Sequence, residues 1–459
     1  MNEQRIKLMS EAPVTEAILK LSIPVVMGMM VQVLYNLVDT FFIGRLGDPN
    51  QLAAANLTTP IFMMMMAIAG IIGTGAASYI SRNLGSKAYD KANHTLSISV
   101  VLIGFLAVIV MSVGLIFLTP LITTLGASQD VYPYAKEYGK YLLYGALFIM
   151  GNYAIGQLLR SEGAAMPSIT GMMIGTILNI ILDPIFIFVL DMGVKGAAIA
   201  TVIGNAAGLL YYFYYYRSNK TIVKFKLSLI KFDASIVKEI FGIGLPASLS
   251  QLLMSFAMVI SNNIAASYGD VVVAGSGVSF KIMTIGTFVF MGFAAGCQPL
   301  TGFNYGAGNF SRVKEILVKG IILTSLVGIV ITMIFALFAK PLIGIFATDM
   351  PLVIDKGVQI LNAMKWSLFV LRAQMIATTT IQAFGKAKAA LFLSILRQGI
   401  FFIPSLIVLN NIMGFDGFIH AQPAADILTT IVSLLVLFTI VKNATKSEND
   451  ILEAQTENS

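Results

Sequence analysis

The sequence has 459 residues, 57% of them hydrophobic and only 12% charged. That is too little polar surface to cover a soluble globule of this size, so the chain is read against lipid. In hydrocarbon each unpaired backbone amide or carbonyl costs on the order of several kcal/mol, and apolar runs of about twenty residues, rather than ten-residue alternation, select helices over a barrel.

In chain order the apolar runs predict six spans near residues 18–44, 52–80, 95–118, 134–157, 166–190 and 196–216, then six more near 238–266, 271–299, 315–339, 352–380, 389–410 and 417–441. The fourth and tenth are the most polar, carrying Lys136, Glu137 and Lys140, and Asp355, Lys356, Lys365 and Arg372. Residues 1–15 are polar and the first apolar run is too long for a signal sequence, so the first helix is expected to stay in the mature protein. With the spans numbered, connections on one side hold twenty Lys and Arg residues against six on the other. The positive-inside rule then puts both termini in the cytoplasm of a multi-pass cell-membrane protein. The net charge of +7 is therefore a topology signal and not a nucleic-acid footprint. The run from Tyr211 to Tyr216 before Arg217 reads as an interfacial aromatic belt. Cys297, the only cysteine, reads as an inert packing residue.

The chain repeats itself. A shift of 221 or 222 residues superimposes Pro24 on Pro246, Gly75 on Gly296, Asn83 on Asn304, Leu147-Phe148 on Leu368-Phe369, and Met192, Gly193 and Gly196 on Met413, Gly414 and Gly417. Because Gly and Pro set backbone geometry, the same bends are expected twice. The fold class is all-α membrane protein, with two six-helix pseudo-symmetric repeats. The expected domains are a first lobe at 1–217, a basic cytoplasmic linker at 218–237 that acts as the hinge, a second lobe at 238–445 and a polar tail at 446–459. An even number of spans per repeat relates the halves by an axis along the membrane normal, a transporter architecture.

Ionisable groups inside spans are functional candidates by default. In the first half these are Asp39 and Asp183, at similar depth below the outer helix ends, with no deep Lys or Arg. Gln32, Tyr35, Asn36 and Asp39 recur at three- and four-residue spacing and share one helix face, while Asn179 lies one turn before Asp183. Asn152, Thr201 and Asn205 on neighbouring spans can complete the cluster. Two carboxylates in one desolvated site cannot both keep full charge without a proton or a hard cation, so the pair reads as an ion-coupling site. If the ion is Na+, Asp39, Asp183 and Asn179 are its expected ligands. The competing reading has both acids only pinning bent helices through hydrogen bonds. In the second half Lys281, Lys365, Arg372 and Arg397 lie within spans, with Asp426 the only deep acid. An ion pair of Asp426 with Arg397 or Arg372 is the expected arrangement. Lys365 is expected to snorkel, and His420 to be a satisfied packing residue.

The sequence contains no P-loop, H-E-x-x-H, G-x-S-x-G or Cys/His cluster. No cofactor is indicated, and uphill transport would have to draw on an ion gradient. The many Met residues, Met63 to Met66 among them, suit an adaptable apolar cavity and equally a packed core.

Pro24, Gln32, Tyr35, Asp39 and Gly44 in the first span, Asn83 and Gly85 after the second, and Asn179 with Asp183-Pro184 in the fifth resemble the multidrug and toxic compound extrusion (MATE) family over essentially the whole chain. The resemblance is to its DinF-like and MepA-like prokaryotic branches. It implies the twelve-helix MATE/MOP-like fold, a cavity between two lobes, and an ion-linked site in the first lobe at Asp39, Asn179 and Asp183, with Gln32, Tyr35, Asn152 and Thr201 as neighbours. The NorM-like branch uses acids in the seventh and tenth spans for sodium; this sequence has Met254 and Arg372 there. The implied function is a secondary active antiporter that exports amphiphilic organic cations in exchange for Na+ or H+, working as a monomer in membrane lipid, with no nucleic-acid partner and no enzymatic activity. The rivals are a flippase for a lipid-linked saccharide or phospholipid, holding phosphate on the basic residues of the second half, and an intramembrane enzyme.

Overall fold

The computed structural model describes residues 2–457 apart from 348 and 349, with side chains described for all of these but 36, 37 and 444–457. Backbone amides that face lipid must find their partners within the same segment, and among the described residues the chain is helical with no strand. A short α1 (Asn2–Ser10) precedes α2 (Val14–Gly44), α3 (Pro49–Gly85) and α4 (Tyr89–Ile116). Then come α5 (Leu118–Thr124), α6 (Tyr132–Tyr144), α7 (Ala146–Ser161), α8 (Ala165–Pro184) and α9 (Gly193–Arg217). The second half builds α10 (Ala234–Ser267), α11 (Asp270–Gly306), α12 (Phe310–Leu337), α13 (Ala339–Gly344), α14 (Pro351–Ala383), α15 (Ala387–Ile395), α16 (Ile403–Met413) and α17 (Phe415–Glu457).

Among the described residues ten helical segments are long and apolar enough to cross a bilayer, counting α8 and α15 each with its continuation. The pair α6 and α7 forms an eleventh crossing, bent by 54° at Gly145. The tenth predicted span, α14, is a single helix of 33 residues, long enough to cross despite its four charged side chains, and completes the twelve. The two most polar spans thus solve the same position differently. The internal alignment puts Gly145 opposite Trp366, and the chain bends at the glycine and stays one unbroken helix through the tryptophan.

Two π-helical stretches lie in corresponding fifth spans of the halves, Ile185–Val189 directly after Pro184 and Leu396–Phe402 between α15 and α16. Extra residues of this kind widen a turn and re-aim side chains. One stretch follows Asp183 and the other contains Arg397.

The chain divides into two compact units, residues 1–8 with 27–244, and residues 9–26 with 245–459. These boundaries differ from the lobes expected at 1–217 and 238–445, and duplicated glycines give the reason. At Gly75 on α3 a Cβ would strike the backbone carbonyl of Ile240 at the start of α10, and at Gly244 one would strike that of Ile71. The first turns of α10 therefore lie in van der Waals contact with α3, inside the first unit. In the second unit the aligned Gly296 of α11 meets Ser22 of α2, and Gly292 meets Val26. Ser22 Oγ donates to Phe293 O at 3.2 Å. Small residues let backbones approach this closely, so each repeat's opening helix begins in the unit of the other repeat.

The segment expected to be a free linker is strapped to the first unit. Glu162 Oε2 accepts from the amides of Ile222 (2.8 Å) and Val223 (2.9 Å). Asn93 Oδ1 accepts from Lys224 N (2.7 Å) and Ser97 Oγ from Lys226 N (3.1 Å). Asn2 Nδ2 and Arg5 Nη1 donate to the carbonyls of Thr221 and Lys220. The backbone of this segment is thus tied down at six points.

Candidate functional site

The close approach of α8 and α9 builds the first-unit site. A Cβ on Gly175 would collide with the carbonyl of Gly204, and one on Gly204 with that of Gly175. The two backbones touch, which sets Asn179 against α9: Asn179 Nδ2 donates to Asp183 Oδ1 (3.2 Å) and Thr201 Oγ1 (3.4 Å). Thr201 Oγ1 also lies 3.2 Å from the hydroxyl of Tyr35, which brings in the later part of α2. Asn205 Nδ2 donates to Thr201 O (2.8 Å) and accepts on Oδ1 from Asn152 Nδ2 (3.0 Å), extending the network to α7.

Asp39 projects into this cluster from α2, close enough to Asp183 and Tyr35 to interact with both electrostatically. Asp183 is wholly buried and Asn179 nearly so. Several polar atoms are buried without a hydrogen-bond partner among the described residues, namely Asp39 Oδ1, Asp183 Oδ2, Asn179 Oδ1 and Asn152 Oδ1. Neither carboxylate has a Lys or Arg within ion-pair distance among the described residues. Four oxygens with unused lone pairs suit a small hard cation, and a proton on one carboxylate would serve the same end. Among the described residues no group of three His, Cys, Asp or Glu side chains converges, so a transition-metal ligand set is not what these oxygens form.

Most of the predicted first-half residues come together here. Gln32 is half-buried on α2 and makes no hydrogen bond to the cluster among the described residues. The side chain of Asn36 lies outside the described residues. Sequence reasoning missed Tyr138 on α6, a buried residue within electrostatic reach of Asp39, Tyr35 and Asp183. Its signal was faint: a tyrosine in the polar fourth span, on the face that also carries Ala135 and Leu142. A buried phenol needs a polar neighbour, which pointed to the carboxylates.

In the second unit Asp426 is fully buried and spoken for. Arg397 Nε donates to its Oδ1 (3.1 Å) and Gln422 Nε2 to its Oδ2 (3.0 Å). Of the two partners expected, Arg397 takes the ion pair and Arg372 does not. Lys365 Nζ donates to Asn362 one turn back (3.1 Å), and His420 Nδ1 lies 2.8 Å from Asp416 O. Lys281 joins no ion pair among the described residues. The tyrosine run divides by face. Phe213 and Tyr214 are exposed, as a belt requires, whereas Tyr212 is buried with its hydroxyl donating to Ser168 O (2.6 Å) and Tyr215 packs against Arg5.

The chain as a whole is similar to known proteins. The MatE family model matches twice, over residues 24–185 and 246–408, each match opening on one of the two superimposed prolines. Multidrug export protein MepA of Staphylococcus aureus (strain MRSA252) is 32% identical over 455 residues, 99% of this chain and 100% of that one. Its namesake from Staphylococcus saprophyticus is 30% identical over 454 residues, with the same shares covered. Among solved structures, an outward-facing multidrug resistance MATE family transporter of the MOP superfamily superimposes with a TM-score of 0.91 at 29% identity, over 96% of this chain and 98% of that one. A MOP superfamily transporter from Pyrococcus furiosus gives the same four values.

Proposed function

We propose, because this chain belongs to the MatE family of membrane transporters, that it exports amphiphilic organic cations by alternating access, in exchange for Na+ or H+ taken up at Asp39 and Asp183. The observation that carries this reading is the set of unbonded buried oxygens on Asp39, Asp183 and Asn179, left without a basic partner among the described residues. Uncompensated carboxylates in lipid are costly, and a site that retains them has a positive guest to offset the cost. The relatives named multidrug export proteins support the substrate class.

The coupling follows from the residues. Asp39 and Tyr35 sit on α2, Asp183 and Asn179 on α8, and Thr201 on α9, and a hydrogen bond from Tyr35 to Thr201 joins α2 to the rest. A cation or proton shared by the two carboxylates would remove their repulsion and draw the later part of α2 toward α8. A ligand shifts a conformational equilibrium only by its differential affinity for the two states, and an ion that favours the drawn-in state drives substrate release if the substrate favours the other. In this reading the protein works as a monomer in the plasma membrane, with both termini in the cytoplasm and a solute as its ligand.

The test is uptake of a fluorescent lipophilic cation by inside-out vesicles, with a pH gradient and a sodium gradient imposed separately. One gradient should drive uptake, and Asp39→Asn should reduce it to the level of protein-free vesicles while membrane insertion is unchanged. Undiminished uptake by Asp39→Asn would remove the site from the mechanism. Translocation of a lipid-linked saccharide in the same vesicles, with no cation uptake, would favour the flippase.

A further inference from the structure

The second unit contains a buried cation that no described residue neutralises. Arg372 of α14 is 7% exposed, and its Nη1 is buried with no hydrogen-bond partner among the described residues. Its one close neighbour of opposite polarity is the face of Phe369, with the guanidinium carbon 4.1 Å from the ring centroid. Stacking of this kind satisfies the face of the guanidinium and leaves its in-plane N–H donors unused. Asp426 pairs with Arg397 and Gln422 and forms no ion pair with Arg372. Arg cannot escape by losing its proton.

The surroundings are shaped around those donors. A Cβ on Gly328 of α12 would sit 3.2 Å from Arg372 Nη1, 3.1 Å from its Cδ and 3.1 Å from Cζ of Phe290. The guanidinium is thus laid across a bare stretch of α12. One helical turn further along the same helix Thr332 carries a buried hydroxyl that also lacks a partner. The repeat architecture does not demand the charge. With Leu147-Phe148 superimposed on Leu368-Phe369, the first half has Gly151 where the second has Arg372, packed against Leu209. An arginine introduced where packing is content with glycine, flanked by two phenylalanines and an unused hydroxyl, has the composition of a site for one compact negative charge on an apolar body.

We infer that Arg372, with Thr332 one turn along α12 from the glycine it lies against and Phe369 and Phe290 as walls, binds a small monocarboxylate in the second unit. The site stands whether or not Asp39 and Asp183 couple to an ion, and it gives the transporter a place for the acidic end of a solute that the first unit's carboxylates would repel. The guanidinium takes the carboxylate through paired N–H donors, the threonine hydroxyl supplies a further donor, and the aromatic walls exclude water.

The experiment is equilibrium dialysis of labelled benzoate against the purified full-length protein in detergent, with empty micelles subtracted and benzamide as the uncharged isostere. Benzoate should bind saturably and benzamide should fail to compete. Arg372→Gln should weaken benzoate at least about tenfold, the loss expected for hydrogen bonds to a charged group. Arg372→Lys keeps the buried charge and the fold but loses the planar fork, and should weaken it several-fold. Lys365→Gln, which removes a neighbouring charge on the same helix, should leave it unchanged. Competition by chloride would support a site for any compact monoanion. Absence of saturable binding, equal competition by benzamide, or binding that survives both Arg372 variants would overturn the assignment.

Discussion

The two units share a skeleton and differ in charge. Both are built on superimposable prolines and glycines, and both wind part of their fifth span as a π-helix. In the first unit that stretch follows Asp183, which together with Asp39 has an unbonded oxygen and no basic partner among the described residues. In the second it holds Arg397, which closes on Asp426, while Arg372 is left over. Duplication preserved the backbone geometry that Gly and Pro impose, and the polar side chains then diverged. One unit kept uncompensated acids and the other a compensated pair plus an uncompensated base.

Asp183 and Asp426 put that distinction at greatest risk. Both are fully buried aspartates. Asp426→Asn strands Arg397 and should cost about 3–5 kcal/mol, the usual penalty for breaking a buried pair, while the double change Asp426→Leu with Arg397→Met should recover most of it. Asp183→Asn removes a charge that has no basic partner, so it should leave thermal stability equal or higher and yet eliminate ion-driven cation uptake. Melting curves and vesicle uptake on the same variants decide the matter. If Asp183→Asn unfolds the protein as Asp426→Asn does, the two acids are alike and the contrast between the units fails.

The shared skeleton is tested by its glycines. Gly75→Ala and Gly296→Ala each push a Cβ into the backbone of another helix and should each destabilise by about 1–3 kcal/mol, as overpacking does. Gly104 lies within α4 with nothing within 4 Å of its Cβ position. Gly104→Ala should therefore gain up to about 1 kcal/mol from helix propensity. Equal effects at all three positions would mean that the reciprocal packing of the first turns of α2 and α10 is not held by close contact.

The crossings, the duplication and the polar face of the first span were legible because each is periodic: twenty-residue apolar runs, a 221-residue offset and three- and four-residue spacing leave a pattern in one dimension. Similar depth suggested that Asp39 and Asp183 could face each other, and helical spacing put Asn179 one turn before Asp183. Contacts with no sequence period could not be read. Composition offered Asp426 two arginines, and only the geometry of the π stretch selects Arg397. Tyr138 joins the first-unit cluster from a span whose charges made it look peripheral. The basic segment after Arg217 has the composition of a linker, yet its backbone amides are claimed by Glu162, Asn93 and Ser97, residues 60 or more positions away for Glu162 and 129 or more for the other two.

Glu162 tests that strap, with the smallest effect of the set. It lies just beyond the end of α7 and is fully buried. Burial pushes its carboxyl from 4.5 up to about 8, against partial relief from the Val223 amide, the nearby Arg5 and the Ile222 amide. Oε2 accepts both amides, and Oε1, 3.7 Å from Arg5 Nη1, is the oxygen free to carry the proton. A raised carboxyl pKa means that between about 4.5 and 8 the folded unit holds a proton that the unfolded chain has released. The strap is therefore most stable below that interval, weakens as pH climbs through it, and levels off above about 8. Hydrogen exchange at the amides of Ile222 and Val223, followed from acid to alkaline pH and corrected for intrinsic rates, should show protection falling over that range. Glu162→Gln keeps an acceptor for both amides and cannot titrate, so its protection should stay flat. A wild-type profile that is already flat, or a Gln variant that falls in parallel with it, would mean the proton is not on Glu162 and the strap is held by its hydrogen bonds alone.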